Sequence, residues 1–164
     1  MGSDYSTPQI CRCSASGDLP YEVHDAARNG YLTKVSNYLK TNDNVNAMYS
    51  GKTMLHTACE NGRFNVVEKL LSHRNICMNL RTNNKNVDTA LILASRNGHL
   101  DCVKALLPAK TQCPLDIESK NSYGNKALDD ALVYKREEVV FLLMATTKRY
   151  DNSKVVGSTS SSTS

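Results

Sequence analysis

The fold is decided by the stretch Thr53-Met54-Leu55-His56-Thr57-Ala58-Cys59-Glu60-Asn61-Gly62. Similar stretches begin at Tyr21, Thr89 and Lys126, so the spacing between copies is 32, 36 and 37 residues. All four copies share one Ala, at positions 26, 58, 94 and 131. Each copy continues with a Val nine residues after that Ala and a pair of large residues three positions further on. This period is typical of a solenoid built from stacked repeats.

One repeat is predicted to contain two short helices. Thr53 can cap the first helix, and Gly62 can end it because glycine adopts the left-handed backbone conformation readily. A second helix is predicted over residues 64–72, with Val67 and Leu70 on its buried side. Since no single unit can bury its apolar side alone, stability must come from stacking the units.

The segment from Gly51 to Ala58 resembles the ankyrin-repeat family, whose unit carries a T-P-L-H-x-A signature, and lacks only the proline. The resemblance extends over residues 19–146. It implies an all-α repeat solenoid, an ankyrin-type stack of helix pairs joined by β-hairpin-like loops. It also implies that His24 and His56, at the signature position, belong to hydrogen-bond networks between repeats rather than to a catalytic or metal site.

The repeats divide the chain into three parts. Residues 1–18 are predicted to be a flexible N-terminal tail, and residues 147–164 a disordered tail rich in Ser and Thr, because neither carries much apolar surface. Between them lies the repeat domain, residues 19–146. Its four repeats are predicted at about 19–47, 48–83, 84–119 and 120–146.

The third and fourth repeats depart from the pattern. Val87 stands where the hairpin glycine belongs, so we expect an irregular turn there. Ile92 and Asp129 replace the signature histidine, and Lys135 replaces the glycine that ends the first helix. Terminal repeats of a solenoid are normally atypical, because one side of each faces water.

Composition and charge favour a protein of the cytoplasm or nucleus. The formal charge of the 164-residue chain is +4, from 20 basic and 16 acidic residues. Because no dense basic patch accompanies this excess, we expect no nucleic-acid partner. No stretch approaches the roughly 18 apolar residues of a membrane span, and the N-terminus lacks the apolar segment of a secretory signal.

Catalytic chemistry finds little support in the sequence. The adjacent carboxylates of Asp129 and Asp130 would point about 100° apart on a helix and cannot act as a pair. There is no phosphate-binding loop and no Cys/His or Ser/His constellation. We therefore expect no enzymatic activity, no cofactor and no metal.

The N-terminus raises an alternative. The start of the chain, with Gly2 and Ser6, fits the pattern for N-myristoylation, and Cys11 and Cys13 could carry palmitate. Two lipid signals would give stable membrane anchoring. The chain would then be a lipid-anchored adaptor, whereas without lipidation this segment is an unmodified flexible start.

The main expectation is a non-catalytic module that binds another protein, of unknown identity, and is itself a monomer. In proteins that it resembles, the concave face is lined by hairpin tips and first helices. Carried onto this sequence, the partner-binding candidates are Arg28, Asn29, Tyr49, Lys52, Glu60, Lys85, Asp88, Arg96, Tyr123 and Tyr134. A narrower alternative is a stand-alone protein resembling the NF-kappa-B inhibitors, or an effector, that sequesters a signalling partner.

Overall fold

The computed structural model of the chain describes residues 17–109, 111 and 113–156, and side chains as far as residue 148. In chain order, its elements are α1 Tyr21–Asn29, α2 Leu32–Thr41, β1 Met48–Tyr49, β2 Lys52–Thr53, α3 Met54–Glu60, α4 Phe64–Leu71, α5 Ala90–Asn97, α6 Leu100–Leu106, α7 Ala127–Val133 and α8 Glu137–Val156. The predicted all-α solenoid of helix pairs is confirmed.

The helices form two layers. The first helices of the repeats, α1, α3, α5 and α7, pack in succession, and the second helices α2, α4, α6 and α8 pack in the same order. The Ala shared by the four repeats is 0% exposed in every copy, because its small side chain lets neighbouring helices approach closely. Leu70 and Leu106, on the second helices, are also 0% exposed. The core therefore runs the length of the stack between the layers.

His56 has the structural role that the resemblance implied. The backbone N–H of Thr53 donates to His56 Nδ1 at 3.2 Å, and the side chain of Thr53 accepts from the backbone N–H of His56 at 3.3 Å. Because Nδ1 accepts, Nε2 carries the proton and donates to the carbonyl oxygen of Leu80 at 2.9 Å. Burial lowers the pKa of His56 to about 4, so the ring is neutral. The imidazole fastens α3 to the loop that leads into the third repeat.

Neighbouring repeats are also joined at the ends of their first helices. In the second, third and fourth repeats, the side chain that follows the left-handed residue at the end of the first helix donates to a backbone carbonyl of the preceding repeat. These bonds join Arg63 Nε to Arg28 O at 2.8 Å, His99 Nε2 to Glu60 O at 3.1 Å, and Arg136 Nε to Arg96 O at 3.0 Å. One connection thus recurs at all three junctions between repeats.

Lys135 adopts the conformation of the glycine that it replaces. Gly30, Gly62 and Gly98 have φ values of 81°, 66° and 77°, and Lys135 has a φ of 54°. At Gly98 a Cβ atom would lie 2.8 Å from the Cδ of Arg136, so a larger residue there would also require the Arg136 side chain to move. The fourth repeat keeps the left-handed turn and bears its strain.

The hairpin of the third repeat is irregular, as Val87 predicted. The second repeat has a two-stranded antiparallel hairpin, β1 with β2, whereas the third has a single bridge between Arg81 and Thr89. Val87 has a φ of 55°, and its N–H donates to Asn84 Oδ1 at 3.2 Å. The Asn84 side chain supports a turn that glycine would form without strain.

Both predicted domain limits need correction. Asp18 forms a bridge with Met48, so the fold begins before residue 19. Helix α8 runs to Val156, ten residues past the predicted limit of 146, because the segment after Thr146 continues the helix rather than starting a tail. The predictions of flexibility for residues 1–16 and of disorder for residues 157–164 lie outside the described residues.

Candidate protein-interaction face

The hairpin of the second repeat and the corresponding turns of the other repeats form one continuous edge, because each is hydrogen-bonded to the next. The backbone N–H of Met48 donates to Gly17 O at 3.3 Å, that of Asn83 to Gly51 O at 2.8 Å, and that of Ser122 to Asn86 O at 2.8 Å. We call this edge, with the exposed ends of the first helices beside it, the hairpin face. Side chains from all four repeats can therefore contribute to one surface.

Two tyrosines lie together at the N-terminal end of the hairpin face. The rings of Tyr21 and Tyr49 have centroids 5.5 Å apart, and the ring of His24 lies 5.0 Å from that of Tyr49. Tyr21 is 59% exposed and Tyr49 is 37% exposed. The sequence predicted Tyr49 but missed Tyr21. The sequence feature that could have indicated Tyr21 is its position at the start of the first repeat's signature segment, which Thr53 occupies in the second repeat.

Tyr123 extends the face into the fourth repeat. The residue is 70% exposed, and its hydroxyl donates to Asn86 Oδ1 in the third repeat at 3.1 Å. The predicted residue Lys85 precedes Asn86 and is exposed. The side chain of Tyr123 is thus held at one point while most of its ring faces solvent.

Lys52 and Glu60, both partner-binding candidates, are paired with each other. The Nζ of Lys52 lies 2.6 Å from Glu60 Oε2, and both side chains are half-buried. The pair joins the hairpin of the second repeat to the end of α3. It leaves this part of the face with little net charge.

Arg96 and Asp88 are the candidates that the structure places inside the stack. Arg96 donates to both carboxylate oxygens of Asp88, at 2.9 and 2.6 Å, and from Nε and Nη2 to Asp130 Oδ2 at 2.9 and 2.7 Å. Asp88 is 0% exposed, so a partner cannot contact it, and the prediction of Asp88 as a binding residue is corrected. The side chain of Arg96 is only 16% exposed.

The hydrogen-bond network around Arg96 includes two asparagines whose structural role the sequence did not predict. Asn121 Nδ2 donates to Asp88 Oδ1 at 3.3 Å and to Asp130 Oδ2 at 3.4 Å. Asn125 Nδ2 donates to Asp130 Oδ1 at 2.9 Å. Burial alone would lower the pKa of Arg96, but its bonds to the two carboxylates outweigh burial and raise the pKa. The network is therefore a charged cross-link between the third and fourth repeats.

Comparison with known proteins agrees with this architecture. A family model described as ankyrin repeats (3 copies) matches residues 22–82 and 73–154. The chain belongs to the ankyrin-repeat family. Ankyrin repeats suggest a role in protein–protein interaction, which is the broad function expected from the sequence.

Several plant proteins are similar to this ankyrin-repeat chain. It is 36% identical over 102 residues to the probable E3 ubiquitin-protein ligase XBOS33 of Oryza sativa subsp. japonica, a match over 62% of this chain and 19% of the ligase. It is 35% identical over 101 residues to the E3 ubiquitin-protein ligase XBAT33 of Arabidopsis thaliana, over 61% of this chain and 19% of that protein. The chain thus spans about a fifth of the length of these relatives.

The remaining candidates lie at the helix ends of this ankyrin stack. Arg28 and Asn29 are exposed at the end of α1, where Asn29 Nδ2 donates to Asp25 Oδ1 at 2.9 Å. Tyr134 follows α7 and is 50% exposed. These three, with Tyr49, Lys52, Glu60, Lys85 and Tyr123, are accessible to a partner.

The part of the ankyrin chain that the structure describes also bears on metal binding and membrane insertion. No group of three or more His, Cys, Asp or Glu residues there could hold a metal ion. None of the helices in that part is long and apolar enough to cross a membrane. The lipidation candidates Gly2, Cys11 and Cys13 lie outside the described residues.

Two core cysteines have environments that oppose reactivity. Cys59 and Cys102 are 0% and 1% exposed. Burial raises the pKa of Cys59 well above its usual value and that of Cys102 to about 11, so both remain protonated thiols at neutral pH. Both act as small apolar packing groups in the ankyrin core.

Proposed function

We propose that this chain binds a partner protein through the hairpin face, with Tyr21, Tyr49 and Tyr123 as its principal anchors. The observation that carries the proposal is the presence of exposed tyrosines near both ends of one hydrogen-bonded edge. Tyrosine is enriched among the residues that dominate binding energy at interfaces, because its ring buries a large area at low entropic cost. A partner lying along the edge would contact several repeats at once.

The charged groups on and beneath the hairpin face indicate what kind of partner surface fits it. Lys52 is paired with Glu60, and Arg96 is paired with Asp88 and Asp130. Because these charges are neutralised within the stack, they would contribute little attraction to a charged partner. We therefore expect the partner surface opposite these pairs to be apolar and hydrogen-bonding, with acidic groups only where it meets the exposed Arg28 and Lys85.

The experiment that tests the proposal compares three baits in quantitative capture from native cell extract. They are the wild-type chain, the face variant Tyr49→Ala/Tyr123→Ala, and the control variant Lys69→Ala/Lys104→Ala. The two lysines of the control are exposed and lie on the second helices α4 and α6. A partner of the hairpin face is enriched by the wild type and the control, and is lost from the face variant. If every enriched protein is retained by the face variant, the proposed face is wrong.

A second candidate function is favoured by the similarity to E3 ubiquitin-protein ligases. We propose that the chain would serve such a function by holding the protein to be modified, since the matched residues are the ankyrin repeats. The test is a reconstituted ubiquitin-transfer assay with the captured partner. Modification that requires both this chain and an intact hairpin face supports the candidate, whereas unchanged modification without this chain excludes it.

A further inference from the structure

One stripe of α8 corresponds to positions of α4 that line a groove between α4 and α6. On α4, the residues Phe64, Glu68 and Leu71 face α6 across a groove that both helices line. Ala58 corresponds to Ala131, an offset of 73 residues. The same offset carries these three α4 positions onto Glu137, Phe141 and Met144 of α8. Glu68 of α4 and Lys104 of α6, the counterparts of Phe141, are both exposed. The stripe therefore places an apolar ring at a position where the inner repeats have a charged, solvent-facing side chain.

This side of the last repeat is apolar and open. Phe141 is 81% exposed and Met144 is 45% exposed. Leu132 of α7 is 54% exposed, although its counterparts Cys59 and Ser95 in the inner repeats are 0% exposed. We call Leu132, Phe141 and Met144 the end face. Exposed apolar groups that cluster on one side of a soluble domain mark a surface that another chain covers.

The sequence of α8 supports the same reading. Residues 139–145 are seven consecutive apolar residues, so they surround the helix rather than line one side of it. Val139 and Leu143 are buried against the stack, whereas Phe141 and Met144 point away from it. A helix that is apolar all round is normally packed on more than one side.

Charges at the two ends of the stripe identify the occupant. Glu137, Phe141, Met144 and Lys148 follow one another at spacings of four, three and four residues, so they lie on one side of the helix. Glu137 and Lys148 are both exposed. When the stripe is reversed end for end, Glu137 lies opposite Lys148, and Phe141 lies opposite Met144. The stripe is thus complementary to its own antiparallel copy.

We propose that the end face pairs with the same face of a second copy of this chain, with the two α8 helices antiparallel. A twofold interface of this kind brings identical surfaces together, so each ion pair and each apolar contact occurs twice. The Leu132 side chains of the two copies extend the apolar contact from α8 onto α7. This pairing replaces the expectation of a monomer with that of a dimer. It uses none of the anchors Tyr21, Tyr49 and Tyr123 and does not depend on the proposed function.

The test is sedimentation equilibrium of the full chain in reducing buffer, over micromolar to hundreds of micromolar concentrations. The wild type gives a concentration-dependent mass that approaches twice that of one chain. Phe141→Asp raises the dissociation constant of the dimer by at least about thirtyfold, as expected when a buried aromatic anchor is lost. The matched control is Tyr123→Ala, which removes a similarly exposed ring on the hairpin face and leaves dimerisation unchanged. Circular dichroism checks that each variant is folded.

The arrangement of the helices is tested by exchanging charges. Glu137→Lys and Lys148→Glu each weaken the dimer severalfold, because each sets like charges opposite one another, and the double variant restores wild-type affinity. A monomer at every concentration overturns the proposal, as does dimerisation that Phe141→Asp leaves unaltered. Failure of the double variant to restore affinity overturns the antiparallel arrangement.

Discussion

Arg96 Nη2 lies 2.7 Å from Asp130 Oδ2, across the junction between the third and fourth repeats. The same guanidinium is bonded to Asp88 in its own repeat, and the side chains of both carboxylates are almost fully buried. Two buried carboxylates would repel one another without the cation between them. The charge of Arg96 therefore stabilises the fold, whereas the exposed residues of the hairpin face are available to a partner.

We predict that Arg96→Ala destabilises the fold by roughly 3 to 5 kcal/mol, because it leaves both carboxylates buried without a counter-charge. The measurement is the free energy of unfolding in urea. Arg28→Ala is the matched control, since Arg28 occupies the same position of the first repeat but is exposed. Its effect should stay within about 0.5 kcal/mol. Equal losses in the two variants would contradict the cross-linking role of Arg96.

The fold could be predicted because its signals are local and repeated. Within one repeat, a helix-capping residue such as Thr53 and a small core residue indicate the first helix. The small core residue is an Ala in all four copies, at 26, 58, 94 and 131, so the same signal occurs four times. The role of His56 followed from the resemblance. Val87 predicted its irregular turn, because a missing glycine has a direct consequence for the backbone.

The parts that were missed depend on contacts between distant residues. Arg96 and Asp130 are 34 positions apart, and each by itself has the sequence character of an exposed charged residue. Only the packing of α5 against α7 brings them together. The continuation of α8 past residue 146 was missed because the polar residues there resemble a tail in composition.

A second prediction concerns pH. Because the folded-state pKa of His56 is about 4, below its ordinary value of 6.5, the unfolded chain takes up the proton first as the pH falls. The stability from neutral His56 is complete above about pH 6.5 and is lost as the pH falls toward about 4, a change on the order of 3 kcal/mol.

This loss is measured as the difference in the free energy of unfolding in urea between about pH 7 and about pH 4.5, because most of the loss occurs between these two pH values. His56→Gln should show a smaller difference between the two conditions than the wild type. His73→Gln serves as the control and should retain the full difference, because the hydrogen bond that the His73 ring accepts comes from Asn75, two positions along the same loop. A wild-type pH dependence in His56→Gln would refute the assignment.

A third prediction uses the left-handed backbone at Lys135. Lys135→Gly should raise the free energy of unfolding by about 1 kcal/mol, since glycine adopts this conformation without the clash of a Cβ atom. The same substitution at Lys104, inside α6, should lower stability by about 1 kcal/mol, because glycine weakens a helix interior. Thermal and urea unfolding of both variants give the comparison. A loss of stability in Lys135→Gly would show that the lysine side chain outweighs the backbone strain.

The central claim is that a partner protein binds the hairpin face, and the most direct test is calorimetric measurement of its dissociation constant for single-residue variants. With a partner identified by capture, we expect Tyr49→Ala and Tyr123→Ala each to weaken binding by roughly thirtyfold, which corresponds to about 2 kcal/mol. Lys69→Ala, on the outer face of α4, should leave the dissociation constant unchanged. Wild-type affinity in both tyrosine variants together with a large loss in Lys69→Ala would contradict the account.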